Sequence, residues 1–140
     1  NAIGRFKHET DPNHGSEVFK YVTKNIVLKN PAMDLKIYVD VYKPIYTDFD
    51  IYLKVQPTWD YTSIDTKEWI KLDPMWKDFT SKDLTDYREV SIITNELMPD
   101  MFGAGSTMGE FSSFKIKIVG RARNSANPPL FRRLRAIALT

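Results

Sequence analysis

The sequence predicts an all-β protein, an antiparallel β-sandwich of the jelly-roll-like kind with long loops and an extended N-terminal arm. Three observations favour this class. Apolar and polar side chains alternate with a period of two in several segments, turn residues separate those segments, and no convincing amphipathic helix lies between them. A parallel sheet would need such helices as crossovers, so antiparallel pairing is favoured. We assign residues 1–15 to the arm or linker and residues 16–140 to the sandwich domain.

The clearest alternation runs through residues 34–55. Aliphatic or aromatic side chains occupy every second position on both sides of a break at 43–48, namely Leu35, Ile37, Val39, Val41, Phe49, Ile51, Leu53 and Val55. A period of two puts each set on one face of a strand, so we expect these side chains in the core and the intervening tyrosines on a wetter face. The short connection favours pairing of the two strands as a hairpin, and the alternative places them in facing sheets. Pro44 has no N–H to donate, so the first strand should end at about Lys43.

Further strands are predicted on both sides of this stretch. The pattern from residue 16 is mixed between the two faces and should end at Asn30-Pro31. A short strand is predicted at 69–72, and others at 87–94, 113–120 and 130–139. A short helical turn is expected where Thr66 or Ser81 caps one. Residues 98–109, which include three glycines, are predicted to form a flexible loop.

Composition limits the classes of function. The chain has 140 residues, the size of one domain, and its 20 basic and 18 acidic residues nearly balance. A net charge of +2 gives no general case for binding nucleic acid or an anionic membrane. There is no cysteine, which excludes disulfides, thiolate metal sites and a cysteine nucleophile. No apolar run approaches the ~20 residues of a spanning helix, so no membrane insertion is expected. Because the chain begins at Asn1, we expect a processed product or a segment of a longer polypeptide.

The pattern of reactive side chains does not favour an enzyme. The only two histidines, His8 and His14, lie in the predicted arm without a cysteine or clustered acid beside them. The glycines at 103 and 105 are not followed by a predicted helix that would bind phosphate. Acidic pairs occur at 48/50, 60/65 and 83/86, as expected on the surface of a chain with 18 acidic residues. We predict no catalytic residue, no cofactor and no metal, with a Ca²⁺ site near Asp60 and Asp65 as the minor alternative.

Residues 57–86 carry the aromatic side chains that bear most on function. Their rings could form a platform on which a sugar stacks, while nearby carboxylates accept hydrogen bonds from its hydroxyls. This sugar-binding set consists of Trp59, Tyr61, Trp69, Asp60 and Asp65. The alternative is that the rings close the open ends of the sandwich or pack against a partner chain. We favour packing, and we take Trp59 and Trp76 as candidate interface residues.

The last predicted strand carries a cluster of arginines. The near-neutral total charge argues against phosphate binding, so we place Arg132, Arg133 and Arg135 at a protein interface, where arginine is favoured. A period of two assigns Arg133 and Arg135 to one face of the strand and Arg132 to the other. The face of Arg132 also holds two alanines, whose small side chains predict close approach of another backbone.

The order and spacing of these segments resemble a domain of the large baseplate and tail proteins of T-even-type contractile-tailed bacteriophages, including cyanophage relatives. The matching pieces are, in order, Tyr21-Val22-Thr23 running to Leu28, Asp34-Leu35-Lys36-Ile37-Tyr38, Tyr42-Lys43-Pro44, Asp50-Ile51-Tyr52-Leu53-Lys54-Val55, Trp69, Tyr87-Arg88-Glu89, Phe114-Lys115-Ile116-Lys117-Ile118 and Leu134-Arg135-Ala136-Ile137-Ala138-Leu139. The resemblance covers roughly residues 16–140. It implies a β-sandwich module within a long structural chain of the virion, assembled in the host cytoplasm, with no catalytic residues to transfer.

Together these observations predict a non-enzymatic module of a phage tail or baseplate protein. Its expected partners are other virion structural proteins or copies of itself. The alternative is a carbohydrate-binding module for host-surface attachment, which would bind a glycan through the sugar-binding set. A hydrolase would need converging acids, and the sequence does not display them.

Overall fold

A computed structural model describes residues 17–72, 78–94, 110–123 and 126–139. Within these ranges the chain forms eight strands and one 3₁₀ turn, Ile64–Thr66. The strands are β1 (Glu17–Val22), β2 (Ile26–Ala32), β3 (Asp34–Tyr42), β4 (Thr47–Pro57), β5 (Ile70–Leu72), β6 (Arg88–Ile93), β7 (Phe111–Ala122) and β8 (Leu130–Leu139). None of the helical structure in these ranges is long and apolar enough to cross a membrane.

The strands form two antiparallel sheets that pack against each other. Sheet A has the order β1-β7-β4-β5, and β2 follows β1 along the same side of β7. Sheet B has the order β6-β3-β8. All neighbouring strands are antiparallel. The prediction of an antiparallel β-sandwich is therefore confirmed.

The two central strands lie in facing sheets, so the predicted hairpin of β3 and β4 is wrong and the alternative is correct. Each strand is already paired on both sides, β3 with β6 and β8, and β4 with β5 and β7. The connection at 43–46 crosses from one sheet to the other. Tyr46 takes a positive φ of 64° there, and the Thr47 hydroxyl donates to the Pro44 carbonyl over 2.6 Å. Strand β3 ends at Tyr42, as the proline predicts.

The core lies between the sheets, where the alternating side chains of β3 and β4 face each other. All eight predicted core residues are buried, with Leu35, Phe49 and Leu53 completely inaccessible to solvent. Burying an aliphatic or aromatic side chain of this size contributes about 1.5–3 kcal/mol. A polar contact closes one end of the core, because the buried Thr94 hydroxyl accepts a hydrogen bond from the Leu35 N–H over 3.0 Å.

The outer face of β4 is not the wetter face that the alternation predicts. Asp50, Tyr52 and Lys54 point away from the core yet are only 3%, 5% and 7% exposed. The segment leading into β5 covers this face, and the Trp69 ring lies 4.6 Å from the Lys54 ammonium and 4.9 Å from that of Lys117. The Lys117 ammonium also lies 4.8 Å from the Tyr52 ring. Long side chains stacked on aromatic rings thus exclude water from a surface that carries charges.

The N-terminal strand prediction needs two corrections. The chain forms two strands instead of one, because β1 and β2 are separated at residues 23–25. Thr23 fastens this break to β7, where its N–H donates to the Ile116 carbonyl and its hydroxyl accepts from the Ile116 N–H, both over 2.9 Å. Strand β2 also continues through Pro31 to Ala32, which is tolerated because β2 lies at a sheet edge.

The other local predictions differ from the structure in detail. The short strand β5 is confirmed, and β7 is longer than the predicted segment 113–120. The 3₁₀ turn begins after Ser63, whose side chain accepts from the Asp65 N–H, so Thr66 ends this turn instead of capping it. Ser81 caps no helix. Its N–H donates to the Lys43 carbonyl and its hydroxyl accepts from the Lys43 N–H, which ties residue 81 to the end of β3.

A bulge in β8 overturns the predicted division of its faces. Tyr38 pairs with Arg135 and Asp40 with Arg132, so two residues of β8 lie opposite the single residue between Tyr38 and Asp40. Arg133, one of the two, has a positive φ of 54°. The extra residue shifts the alternation by one. Arg132 therefore shares the outward face with Arg135 instead of lying with the alanines on the core side.

Candidate interaction surface

The solvent-facing side of sheet B gathers the three arginines of β8. Their side chains are 48%, 70% and 53% exposed for Arg132, Arg133 and Arg135 in turn. Aromatic and acidic side chains of β3 and of the chain at the start of β6 lie beside them. We call this surface the arginine–tyrosine face and define it by Tyr38, Asp40, Tyr87, Glu89, Arg132, Arg133 and Arg135.

Two of the arginines are held on tyrosine rings. The guanidinium carbon of Arg132 lies 3.8 Å from the centroid of the Tyr87 ring, and that of Arg135 lies 5.2 Å from the centroid of Tyr38. Arg135 also donates from Nη2 to Oε2 of Glu89 over 2.6 Å. Stacking on an aromatic ring orders a guanidinium while leaving its edge exposed. The rings therefore restrict the orientation of both arginines.

The charges of this face do not fully cancel. Asp40 is shared by two arginines, with its Oδ2 atom 3.8 Å from Nε of Arg132 and 3.7 Å from Nη1 of Arg133. One carboxylate thus faces two guanidiniums, which leaves one positive charge uncompensated. Exposed ion pairs contribute at most about 1 kcal/mol to stability. These ion pairs therefore contribute little to folding, and the face presents positive charge to solvent.

A groove lies between the open edges of the two sheets. β1 and the first residue of β2 form one side and β8 the other. Their residues follow the same direction, from Phe19 beside Phe131 at one end to Ile26 near Ala136 at the other. Two adjoining cavities of about 560 and 380 Å³ lie along it, and both are lined by Tyr21 and Leu134. We call this the β1–β8 groove. Its lining is mainly apolar, and it is rimmed by Lys24, Arg132 and Arg133.

No protein-family model, curated protein or solved structure matches this chain.

The sugar-binding set is only partly brought together. Trp59 and Tyr61 are 75% and 96% exposed at the turn that follows β4, as a binding platform requires. Trp69 is half-buried and packs on the lysines of the outer face of sheet A. The acids have basic partners as well, since Asp60 is paired with Lys67 and Asp65 lies 3.4 Å from Lys115. Trp76, predicted from the sequence as an interface candidate together with Trp59 and the three arginines of β8, lies outside the described residues.

Asp60 is expected to keep its charge at a lower pH than an ordinary aspartate, because its pKa is lowered. The hydrogen bond from Lys67 is the largest cause, followed by those from the Thr62 hydroxyl and N–H, and together they lower the pKa of Asp60 from 3.8 to about 2. A depressed pKa means that the stabilising contribution is complete above the unfolded value and is lost as the pH falls through about 2. Carboxyl ¹³C NMR titration checks this midpoint. Lys67→Met should raise the pKa of Asp60 towards 3.8, whereas the matched Lys82→Met should leave it in place. An unaltered chain that already titrates at the ordinary aspartate value contradicts the assignment.

The remaining acidic pairs are held by local partners. Arg121 reaches both members of the first pair, with Nη2 at 3.2 Å from Asp48 and 3.0 Å from Asp50. Asp83 accepts from the Thr85 hydroxyl and Asp86 pairs with Arg88, and these bonds lower the pKa of each carboxyl. Nowhere in the described ranges do three or more potential metal ligands come together. The histidines at 8 and 14, the glycines at 103 and 105 and the arm lie outside those ranges.

The β1–β8 groove is the feature that sequence reasoning missed. The signal for it was the mixed pattern after residue 16, where apolar side chains fall on both faces. Phe19, Tyr21, Val22 and Ile26 remain 37–48% exposed along this edge. Apolar side chains thus lie along an open edge of the sandwich without being fully buried. A mixed pattern next to clean alternation is therefore informative in itself.

Proposed function

We propose that this chain is a non-enzymatic assembly module of a virion, which binds neighbouring subunits of a contractile phage tail or baseplate through the arginine–tyrosine face. The observation that best supports an interface is the collection of three substantially exposed arginines on one sheet face, two of them ordered on tyrosine rings. The virion context rests on the resemblance in strand order.

Energetics favour an interface over a stabilising role for these arginines. Stacking on an exposed ring contributes about 0.5–1 kcal/mol and a surface ion pair about as little. When the same guanidinium is desolvated against a partner, its truncation costs 2 kcal/mol or more, roughly a thirtyfold change in affinity. Arginine and tyrosine are also the residues that dominate binding energy at protein interfaces. The face thus fits association better than folding.

Charge reversal at Arg133 tests the proposal in the assembled particle. Arg133→Glu is expected to reduce incorporation of the chain into tails at least tenfold. A group of the neighbouring subunit that attracts the Arg133 guanidinium would repel a glutamate at the same position, and such a desolvated repulsion costs more than about 1.4 kcal/mol. Incorporation is measured by quantitative blotting of purified particles, and tails are counted by electron microscopy. The side chain is 70% exposed, so the thermal unfolding temperature should be unchanged.

Lys82→Glu is the matched control. It makes the same change in net charge at an exposed residue of the loop before β6, outside the arginine–tyrosine face, and it should assemble normally. A second variant carries both Arg132→Glu and Arg135→Glu. If this variant folds, and if it and Arg133→Glu are both incorporated normally, the arginine–tyrosine face takes no part in assembly.

Carbohydrate binding is the second candidate, and one observation favours it. Trp59 and Tyr61 expose most of their rings on a single turn, beside a carboxylate. A glycan array with the isolated chain separates the two functions. A sugar-binding module would give signals that Trp59→Ala abolishes, whereas an assembly module would bind no glycan. Arg133→Glu should leave any such signal unchanged.

A further inference from the structure

The β1–β8 groove joins an apolar trough to an edge strand that still has one side open. Within the described ranges β8 pairs with β3 alone, and β1 pairs with β7 alone. The backbone of β8 beyond the bulge, residues 134–139, therefore presents N–H and C=O groups along one side. Core residues Val39 and Ile118 form the base of the larger cavity. An occupant of the groove would thus touch the core and the strand edge together.

The side chains of β8 define what can lie next to it. On the core side, Ala136 and Ala138 leave room for large apolar side chains of a neighbouring strand. On the outer side, Arg135 is followed by Ile137 and Leu139, and Arg133 lies in the bulge at the start of this stretch. Successive side chains of a strand point to opposite faces. The complementary strand therefore has large apolar side chains on its core side, and on its outer side it has carboxylates where it faces Arg133 and Arg135.

Charge argues against a second copy of this chain as the occupant. Strand β8 contains three arginines and no acidic residue. Pairing residues 134–139 of two copies would bring the Arg133 and Arg135 guanidiniums of both copies to one strand edge, where like charges are destabilising. Asp40 and Glu89 offset only part of this charge. A negatively charged segment of another protein meets no such penalty.

We propose that the β1–β8 groove binds an extended acidic–apolar segment of a neighbouring protein, which adds to sheet B as a strand beside β8. This inference rests on the proposed assembly function and names its partner chemistry. Main-chain hydrogen bonds to residues 134–139 supply affinity, and the groove and the arginines supply side-chain specificity. The bulge at Arg133 limits the added strand to about six residues.

The test uses the 140-residue chain and short fluorescein-labelled peptides in which leucine and glutamate alternate. Binding is followed by fluorescence anisotropy, and its location by amide chemical shifts in ¹H–¹⁵N NMR spectra. We expect shifts concentrated in β8 and β1. We also expect at least tenfold weaker binding of a lysine–leucine peptide and of a glutamate–leucine peptide with the same composition in two blocks.

Two N-methylated peptides test the mode of binding. In an extended peptide, successive N–H groups point to opposite edges. One peptide is methylated at the alternate amides whose N–H groups would face β8, and the other at the alternate amides whose N–H groups would face solvent. If the peptide adds to β8 as a strand, the first of these peptides should lose binding and the second should retain it. The proposal is overturned if both methylated peptides bind equally well, or if the amide chemical shifts change at residues away from β8.

Protein variants test the specificity. Arg133→Glu should weaken the glutamate peptide and strengthen the lysine peptide, which a merely structural effect would not do. Tyr21→Ala removes an apolar wall of the groove and should weaken binding, whereas Tyr61→Ala, at a residue 96% exposed on another surface, should not. Concentration-dependent dimerisation that the peptide cannot displace would identify a second copy as the occupant and overturn the proposal.

The two proposals fail separately. If Arg133→Glu blocks incorporation into particles but the acidic peptide does not bind, the partner chemistry is wrong and the assembly function stands. If the peptide binds at the groove but the arginine variants are incorporated normally, the assembly function is wrong, and the groove is still a site for acidic–apolar segments.

Discussion

Replacing Phe49 by alanine is expected to lower the free energy of unfolding by about 3–5 kcal/mol. Phe49 is completely buried in β4 and contacts the Phe131 ring edge to face, with 5.6 Å between centroids. Phe131 belongs to β8, so this contact joins the centre of sheet A to the edge of sheet B. The substitution removes an aromatic side chain and leaves a cavity that rigid neighbouring strands can fill only in part. Because net stability is about 5–15 kcal/mol, the loss is a large fraction of it.

Urea denaturation monitored by circular dichroism measures this effect. The midpoint should fall while the slope stays unchanged, which separates lost stability from a change in the unfolded state. Phe19→Ala is the matched control, since Phe19 stacks on the same Phe131 ring at 5.3 Å but is 37% exposed. It should cost clearly less than Phe49→Ala. Equal losses of unfolding free energy would mean that burial does not determine how much each ring contributes to stability.

Replacing Gly120 by valine is expected to destabilise the fold by about 1–3 kcal/mol or more, through crowding instead of a cavity. A Cβ atom at this position of β7 would lie 2.9 Å from Cγ of Pro129 and 3.3 Å from Cε2 of Phe131. The proline ring is fixed to its own backbone and cannot rotate away. Gly120 is thus needed for the close approach of the segment leading into β8.

A double-mutant cycle checks this mechanism by urea denaturation. Pro129→Ala removes the Cγ atom at 2.9 Å, so combining it with Gly120→Ala should recover part of the stability lost by Gly120→Ala alone. Strict additivity of the two changes would show that the loss does not come from contact with Pro129, since strand propensity alone favours alanine over glycine.

The central strands could be predicted from sequence because their period of two is clean on one face. Leu35, Ile37, Ile51 and Leu53 are all buried as predicted. Their mutual arrangement could not be read in the same way, since a short connection is compatible with pairing in one sheet or with crossing between sheets. Alternation states which face of a strand is buried. It does not state which strand lies beside it.

The candidate site depended on a local irregularity that no periodicity displays. Strict alternation separates Arg132 from Arg135, and only the bulge with a positive φ at Arg133 puts them on one face. Arginine has no strong preference for that conformation, so the sequence carries no signal for it. The covered outer face of β4 was missed for a related reason. Stacking of Lys54 on Trp69 depends on a loop whose path periodicity does not specify.

The shared direction of β1 and β8 has a mechanical consequence. The chain runs into the sandwich along β1 and leaves it along β8 in the same direction, so tension applied through residues 17 and 139 pulls the two strands towards opposite ends. Inter-strand hydrogen bonds of antiparallel sheets lie perpendicular to the strands. Such a load therefore shears the β1–β7 and β3–β8 ladders, straining many bonds at once instead of opening them one by one. A module built in this way resists stretching along its length.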